Sequence, residues 1–272
     1  MIYFPNAKIN LGLNIIGKRE DGFHELSSIF LPVQWCDVLE LHINEKPGLE
    51  LTFLGLEING DIRDNLIAKA YDLLSKDFDV PGLTATLKKS IPMGAGLGGG
   101  SSDGAFMLKA INELCGLGIG ENDLERYAAE LGSDCPFFIK NKPSLVEGRG
   151  ELVNLLDLKF LNDYEILIVH PGVHVDTGKA FKLIAGEYTE PIKIEDVEGL
   201  ELKNDFEAKV ADAYPKIKEA IKFVTSTGAE YVQMTGSGSA VFGLYEKGVA
   251  QGYSIKAAAE EKGYAAYFGA LT

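Results

Sequence analysis

The spacing of apolar side chains changes period several times along the chain, and each change predicts an element. Residues 8–15 alternate polar and apolar, as a half-buried strand does, and residues 37–43 give a second strand with Val38, Leu39 and Leu41 set among acids. From residue 65 to 74 the spacing becomes three and four, through Leu66, Ile67, Ala70, Leu73 and Leu74, which predicts an amphipathic helix; a strand over 83–87 follows. A glycine cluster then precedes Ser101, Ser102 and Asp103, all good capping residues, and Ala105, Leu108, Ile111, Leu114 and Cys115 carry one helix face to Gly116. Another helix over 122–131 stops at Gly132.

Around 147–152 the pattern lapses into a charged, glycine-bearing turn before a new apolar strand over 164–169, which predicts domains of 1–152 and 153–272. The second half reads as helices over 206–213, 215–225 and 250–262 with strands over 241–245 and 265–268. Residues 179–204 read as an irregular surface excursion. The mixture is that of an α+β protein, without internal repeats or low-complexity tracts.

Composition narrows the function. With 46% apolar residues in 272, the chain can bury a substantial core, and a net charge of −14 repels nucleic-acid phosphates and anionic membrane faces. No nucleic-acid or membrane partner is expected, and a small molecule is. Any anionic ligand must be met locally, by concentrated positive charge or backbone N–H groups. Cys36, Cys115 and Cys135 are odd in number and lack metal-type spacing, so they read as core thiols of a cytoplasmic protein.

The segment Gly94-Ala95-Gly96-Leu97-Gly98-Gly99-Gly100-Ser101-Ser102 leads into a helix N-terminus. Its N–H groups can turn toward one anion in the positive potential of the helix, the plainer reading being a hinge or tight turn. Gly94, Gly96 and Gly99 formally satisfy GxGxxG, but Lys88, Lys89 and Pro92 separate them from the strand, and the region beyond is helical. A phosphate loop of the Walker type needs a lysine where Gly100 stands, and no protein-kinase HRD or DFG signature is present.

A loop that holds a triphosphate without its own lysine takes a cation and a proton acceptor from elsewhere. Lys8, flanked by apolar residues, is either an inward charge or a solvated strand lysine; Asp134 is either a base or a turn residue. Together their chemistry is complementary, because an aspartate can take the proton of an attacking alcohol while an ammonium stabilises oxyanion charge. The glycine-serine turn at 234–239 either closes over a ligand or joins two strands. His24 beside Phe23 can read a heterocycle's edge or be structural, and His42, His170 and His174 show no metal-ligand spacing.

Six motifs in order, PNAKINL (5–11), DGFHE (21–25), IPMGAGLGGGSSD (91–103), GSDCPFF (132–138), GRGE (148–151) and MTGSGSAVF (234–242), resemble the GHMP small-molecule kinases over nearly the whole chain. The resemblance implies a GHMP kinase fold, with an ATP-binding N-terminal domain like domain 2 of ribosomal protein S5 and a ferredoxin-like C-terminal domain. It further implies ATP-dependent phosphorylation of an alcohol, with Mg2+ expected and its ligands not legible. Within the family, DGFHE beside GSDCPFF points to a cytidine-diphosphate substrate phosphorylated at the 2-hydroxyl of a methylerythritol unit, in non-mevalonate isoprenoid biosynthesis.

By the same resemblance Asp134 is the general base and Lys8 its electrostatic partner. ATP binding falls to Asn65 and Lys89 near the base, and to Pro92, Met93, Gly94, Ala95, Gly96, Leu97, Gly98, Gly99, Gly100, Ser101 and Ser102 around the phosphates. His24 would hydrogen-bond the cytosine, Phe23 and Phe181 would sandwich it, and Asn10, Thr177, Gly236 and Ser237 would line the substrate with Asp134. Two positions depart from the family: Phe23 replaces a tyrosine, keeping the ring without its hydroxyl, and Gly104 replaces an alanine, expected to weaken the helix start slightly. A homoserine or mevalonate kinase would share the loop but not DGFHE with GSDCPFF, and a non-catalytic nucleotide sensor would lack Lys8 or Asp134.

Overall fold

The computed structural model describes residues 1–58, 60–248 and 251–271. They form two compact units interleaved along the chain, one of Met1–Ala7, Trp35–Ile91 and Gly98–Lys142, the other of Lys8–Gln34, Pro92–Leu97 and Pro143–Thr272. Apolar periodicity is local and gives a single cut, whereas each unit is assembled from three chain segments.

The first unit carries a sheet in the order Ile2–Tyr3, Val38–Ile43, Leu83–Lys89, Leu49–Gly55. Val38–Ile43 runs antiparallel to Leu83–Lys89, setting Leu39 opposite Leu87 and Leu41 opposite Ala85, and these four with Leu83 are fully buried. Period-two alternation thus gives one apolar face, as the pleat requires. The edge strand Leu49–Gly55, not among the expected elements although Leu49, Leu51 and Phe53 alternate with Glu50 and Thr52, pairs in parallel with Leu83–Lys89.

Helix Leu66–Asp77 is capped by Asn65, whose side chain accepts from the Ile67 N–H at 2.9 Å. It packs on helix Gly99–Leu114 through Ile67, Ala70 and Leu74 on one side and Ala105, Leu108 and Ile111 on the other, with helices Glu121–Leu131 and Cys135–Lys140 alongside. Gly104 serves this packing, since a Cβ there would lie 2.9 Å from the Leu66 Cβ. The glycine is therefore a close-approach residue of the second turn and not a weak helix start.

Helix Gly99–Leu114 begins inside the glycine cluster, earlier than its apolar face predicts. Gly98, with φ 68°, is the cap residue and contributes no side-chain hydrogen bond, so Ser101, Ser102 and Asp103 lie within the opening turns and do not cap them. A left-handed glycine ends the loop without needing a side chain. Cys135 is buried as expected of a core thiol, but Cys36 and Cys115 are only half-buried.

In the second unit, one sheet runs in chain order through Asn6–Lys18, His24–Cys36, Ser144–Gly148 and Leu152–Leu155. The last two form an antiparallel hairpin with Val146 opposite Val153, so in the charged stretch at 147–152 Glu147, Gly148 and Leu152 are strand on either side of a tight turn. The other sheet, in the order Tyr231–Met234, Val241–Glu246, Tyr164–His170, Ala265–Ala270, is antiparallel throughout. Numbered by their place in this half of the chain, its strands lie 2-3-1-4, the β-α-β-β-α-β ferredoxin-like arrangement.

Between its first two strands come helices Thr177–Leu183, Ile194–Glu198, Glu207–Ala213 and Pro215–Ser226, so the stretch at 179–204 is partly helical and not irregular throughout. Helix Gly252–Glu261 links the last two strands; Ala250, in the range expected for it, lies outside the described residues. The core joins Leu13 and Ile15 to Leu167, Val169, Phe206, Val210, Ile217 and Val224. Among the described residues no helix is long and apolar enough to cross a membrane.

Candidate active site

The second unit holds the first part of the glycine loop, Pro92–Leu97. Three successive loop carbonyls are occupied there: Ala95 O accepts from Ala240 N at 3.0 Å, Gly96 O from Thr235 Oγ1 at 3.1 Å, and Leu97 O from Lys8 N at 2.9 Å. Gly94, Gly96 and Gly98 have φ values of 62°, 78° and 68°, while the intervening Ala95 and Leu97 do not share the positive sign. Alternating backbone hand gathers N–H groups into an anion-binding concavity. The side chains of Pro92, Ala95 and Leu97 are buried as anchors, while Met93 and Gly94 are exposed.

Of the two readings of Lys8, the inward charge holds: the residue is 3% exposed. Its Nζ donates to Asn10 Oδ1 at 2.6 Å and lies 4.3 Å from the centre of the Phe30 ring. Asn10 is fixed in turn, with Nδ2 donating to Ser28 Oγ at 2.9 Å and its backbone N–H donating to Thr235 Oγ1 at 2.9 Å. Thr235, which has no distinguishing local signal inside MTGSGS, therefore ties the lysine's partner to the glycine loop.

The turn beyond Thr235 is held by Asn204, whose Nδ2 donates to the carbonyls of Met234 at 2.7 Å and Gly236 at 2.9 Å. The hydroxyls of Thr177 and Ser237 are 3.0 Å apart, so two expected substrate residues meet. His24 stacks on Phe181 with ring centres 4.2 Å apart and planes 12° from parallel. The expected face of Phe181 is thus covered by His24, while Phe23, 53% exposed, carries the Arg149 guanidinium 4.9 Å over its ring. Burial and the charge of Lys18 lower the His24 pKa, which keeps a neutral imidazole able both to donate and to accept.

In the first unit, Asp134 is half-buried at the N-cap of the short helix Cys135–Lys140 and makes no side-chain capping bond. The neighbouring Cys135 thiol is hydrogen-bonded by Ser101, which joins the aspartate's segment to the opening turn of helix Gly99–Leu114; burial pushes this thiol up to about 12, leaving it inert. Asn65 spends its side-chain oxygen on capping. Lys89 sits between Asp37 and Asp103, an arrangement without local signal because Asp37 is 52 residues away. Burial and the Asp37 carboxylate raise the Asp103 pKa, and the two carboxylates raise that of Lys89 against its own desolvation. Ser102 Oγ and Asp103 Oδ1 are buried without a hydrogen-bond partner.

The description of the GHMP kinases N terminal domain matches residues 65–142, and that of the GHMP kinases C terminal region matches residues 193–265. A 4-diphosphocytidyl-2-C-methyl-D-erythritol kinase of Bacteroides fragilis is 48% identical over 253 residues, 90% of this chain and 92% of the relative. The chain belongs to the GHMP kinases. A crystal structure of a 4-(cytidine 5'-diphospho)-2C-methyl-D-erythritol kinase superposes with a TM-score of 0.86 at 31% identity, covering 99% of this chain and 98% of the other. The homoserine kinase of Cytophaga hutchinsonii, at TM-score 0.74 and 18% identity over 100% of this chain and 93% of its own, shares the fold.

As a GHMP kinase the protein is an enzyme that uses ATP, and its α+β architecture is the one expected of the family. A Cβ on Gly96 would fall 2.2 Å from the Thr235 carbonyl oxygen, at a backbone angle that L side chains avoid. Gly96→Ala is expected to raise the KM for ATP by at least about tenfold and to lower Tm by roughly 3–8 °C. Steady-state kinetics with calorimetry checks this, and an unchanged KM for ATP would remove Gly96 from the phosphate cradle.

Proposed function

We propose that the enzyme transfers the γ-phosphoryl group of ATP to the 2-hydroxyl of 4-diphosphocytidyl-2-C-methyl-D-erythritol, giving the 2-phosphate and ADP, in non-mevalonate isoprenoid precursor biosynthesis. The observation that supports the substrate is the stacked pair of His24 and Phe181, with the exposed ring of Phe23 next to His24 in the chain. Two rings and a neutral imidazole suit a cytosine, whereas homoserine and mevalonate have no ring to stack. The names of the relatives and their identity over nine-tenths of the chain support the same substrate. Thr177, Ser237, Gly236 and Asn10 supply polar contacts to it, and Asn65 lies on the ATP side.

In the reaction, Asp134 accepts the proton of the substrate hydroxyl as its oxygen bonds to the γ-phosphorus and the bond to ADP breaks. Lys8, held by Asn10, offsets charge that develops on the transferring group. The loop N–H groups bind the phosphates without a proton inventory of their own. Mg2+ when bound neutralises phosphate charge. Among the described residues no group of three or more His, Cys, Asp or Glu is arranged for a metal; the orphaned Ser102 hydroxyl is the kind of hard oxygen donor Mg2+ takes and would help to hold the ion beside the nucleotide. A cytoplasmic location belongs to the same reading, supported by three unpaired cysteines.

The test is ADP release from MgATP with 4-diphosphocytidyl-2-C-methyl-D-erythritol, mevalonate and homoserine offered separately. Turnover with the cytidine compound alone is expected. Turnover with another alcohol alone would keep the kinase and discard this substrate.

A further inference from the structure

The Asp37, Lys89 and Asp103 group has no part in the reaction described above, and its geometry is unusual for an ion cluster. The Lys89 ammonium donates to Asp37 Oδ2 and, at 2.6 Å, to Asp103 Oδ2, with the three side chains 2%, 0% and 4% exposed in the order lysine, Asp37, Asp103. The other oxygen of Asp37 is also engaged, since Oδ1 accepts the backbone N–H groups of Ser90 at 2.5 Å and Ile91 at 2.9 Å. Those residues immediately precede the glycine loop. Asp103 lies at the other end, in the opening turns of the helix that the loop feeds.

A line of hydrogen bonds therefore runs from Ile91 through Asp37, Lys89 and Asp103 into the helix start, joining the residues on either side of the loop. The ammonium also sits directly under the first helical residue, since a Cβ on Gly99 would lie 3.0 Å from Lys89 Nζ. Burying three charges is a poor way to gain stability, because well-packed apolar side chains of similar volume usually do as well or better. What ions and directed hydrogen bonds supply, and apolar packing does not, is a fixed separation between the groups they join.

We propose that Lys89 and Asp103 are positioning residues for ATP: with Asp37 they form a buried clamp that sets the spacing of the loop's two ends, Ile91 and Gly98, and so the shape of the phosphate cradle. Lys89 then acts on the triphosphate through the loop and not on the nucleotide base, where family resemblance would set it. The inference rests on the kinase assignment and is independent of which alcohol is phosphorylated.

The test is calorimetric binding of two probes in the absence of any alcohol, MgATP and magnesium tripolyphosphate, the second having phosphates but no base. Asp103→Ala and Lys89→Met are each expected to weaken both probes by a similar factor of about tenfold or more, since a cradle misplaced by a fraction of an ångström loses several aligned contacts at once. Asp103→Asn, which keeps the shape and an oxygen for the ammonium, is expected to bind both within about threefold of the native protein. In turnover assays the KM for MgATP should rise in Asp103→Ala and Lys89→Met by a factor similar to the loss of binding, and stay within about threefold of native in Asp103→Asn. Loss of MgATP binding by Lys89→Met with tripolyphosphate binding intact would overturn the clamp and place Lys89 on the base. Native affinity for both probes in folded Asp103→Ala would overturn it as well, and if that variant does not fold, the Lys89→Met comparison decides alone.

Discussion

Asp134→Asn is expected to lower kcat by about three orders of magnitude while leaving MgATP affinity within about twofold of native. The substitution removes the proton acceptor and keeps the size and shape of the side chain. Asp134 occupies an N-cap position without a side-chain capping bond, and asparagine is as good an N-cap residue, so helix Cys135–Lys140 should be undisturbed. Its neighbour Cys135 keeps its link with Ser101, which holds the segment to the start of the loop helix. Single-turnover kinetics with calorimetric MgATP binding separate the two effects. Turnover within tenfold of native would remove Asp134 as the base, and lost MgATP binding would make its role structural.

Lys8→Met should cut kcat by about two to three orders of magnitude with Tm equal to or above the native value. The two readouts are expected to move apart for a physical reason. A buried ammonium is costly to hold, and methionine fills nearly the same volume against Phe30, so the folded state loses a desolvated charge and keeps its packing. Asn10 Oδ1 keeps a donor within reach, because the Thr235 hydroxyl 3.2 Å away shares its one proton between this oxygen and the Gly96 carbonyl. The transition state, by contrast, loses its fixed positive charge. A fall in Tm with kcat retained would show that Lys8 is there for the fold, while activity lost at unchanged stability is the mark of a residue kept for chemistry at some cost to stability.

These expectations differ in how they could be reached. The glycine run and the apolar faces of helices Leu66–Asp77 and Gly99–Leu114 are legible locally, because backbone freedom and a three-and-four apolar period are properties of neighbouring residues. The ordered motifs likewise point to Lys8, Asp134, Phe23 and His24 without any coordinates. Local pattern fails for strand His24–Cys36, where a continuous buried run from Ser27 to Val33, Pro32 included, shows no alternation; its hydrogen bonding to Ser144–Gly148 spans Leu26–Phe30 and ends before the proline. It fails also for hairpin 144–155, whose charged turn looks like a boundary when its two strands are not seen to pair.

The sequence by itself determined the family, the element types of the long amphipathic segments, and which residue types were available for phosphoryl transfer. Only the tertiary structure decided that Lys8 is buried, that His24 rests on Phe181, that Thr235 joins Asn10 to Gly96, and that Lys89 is shared by Asp37 and Asp103. Each of these depends on groups brought together from distant parts of the chain. Burial and ion pairing are set by that long-range assembly, and nothing in the spacing of neighbouring residues encodes it.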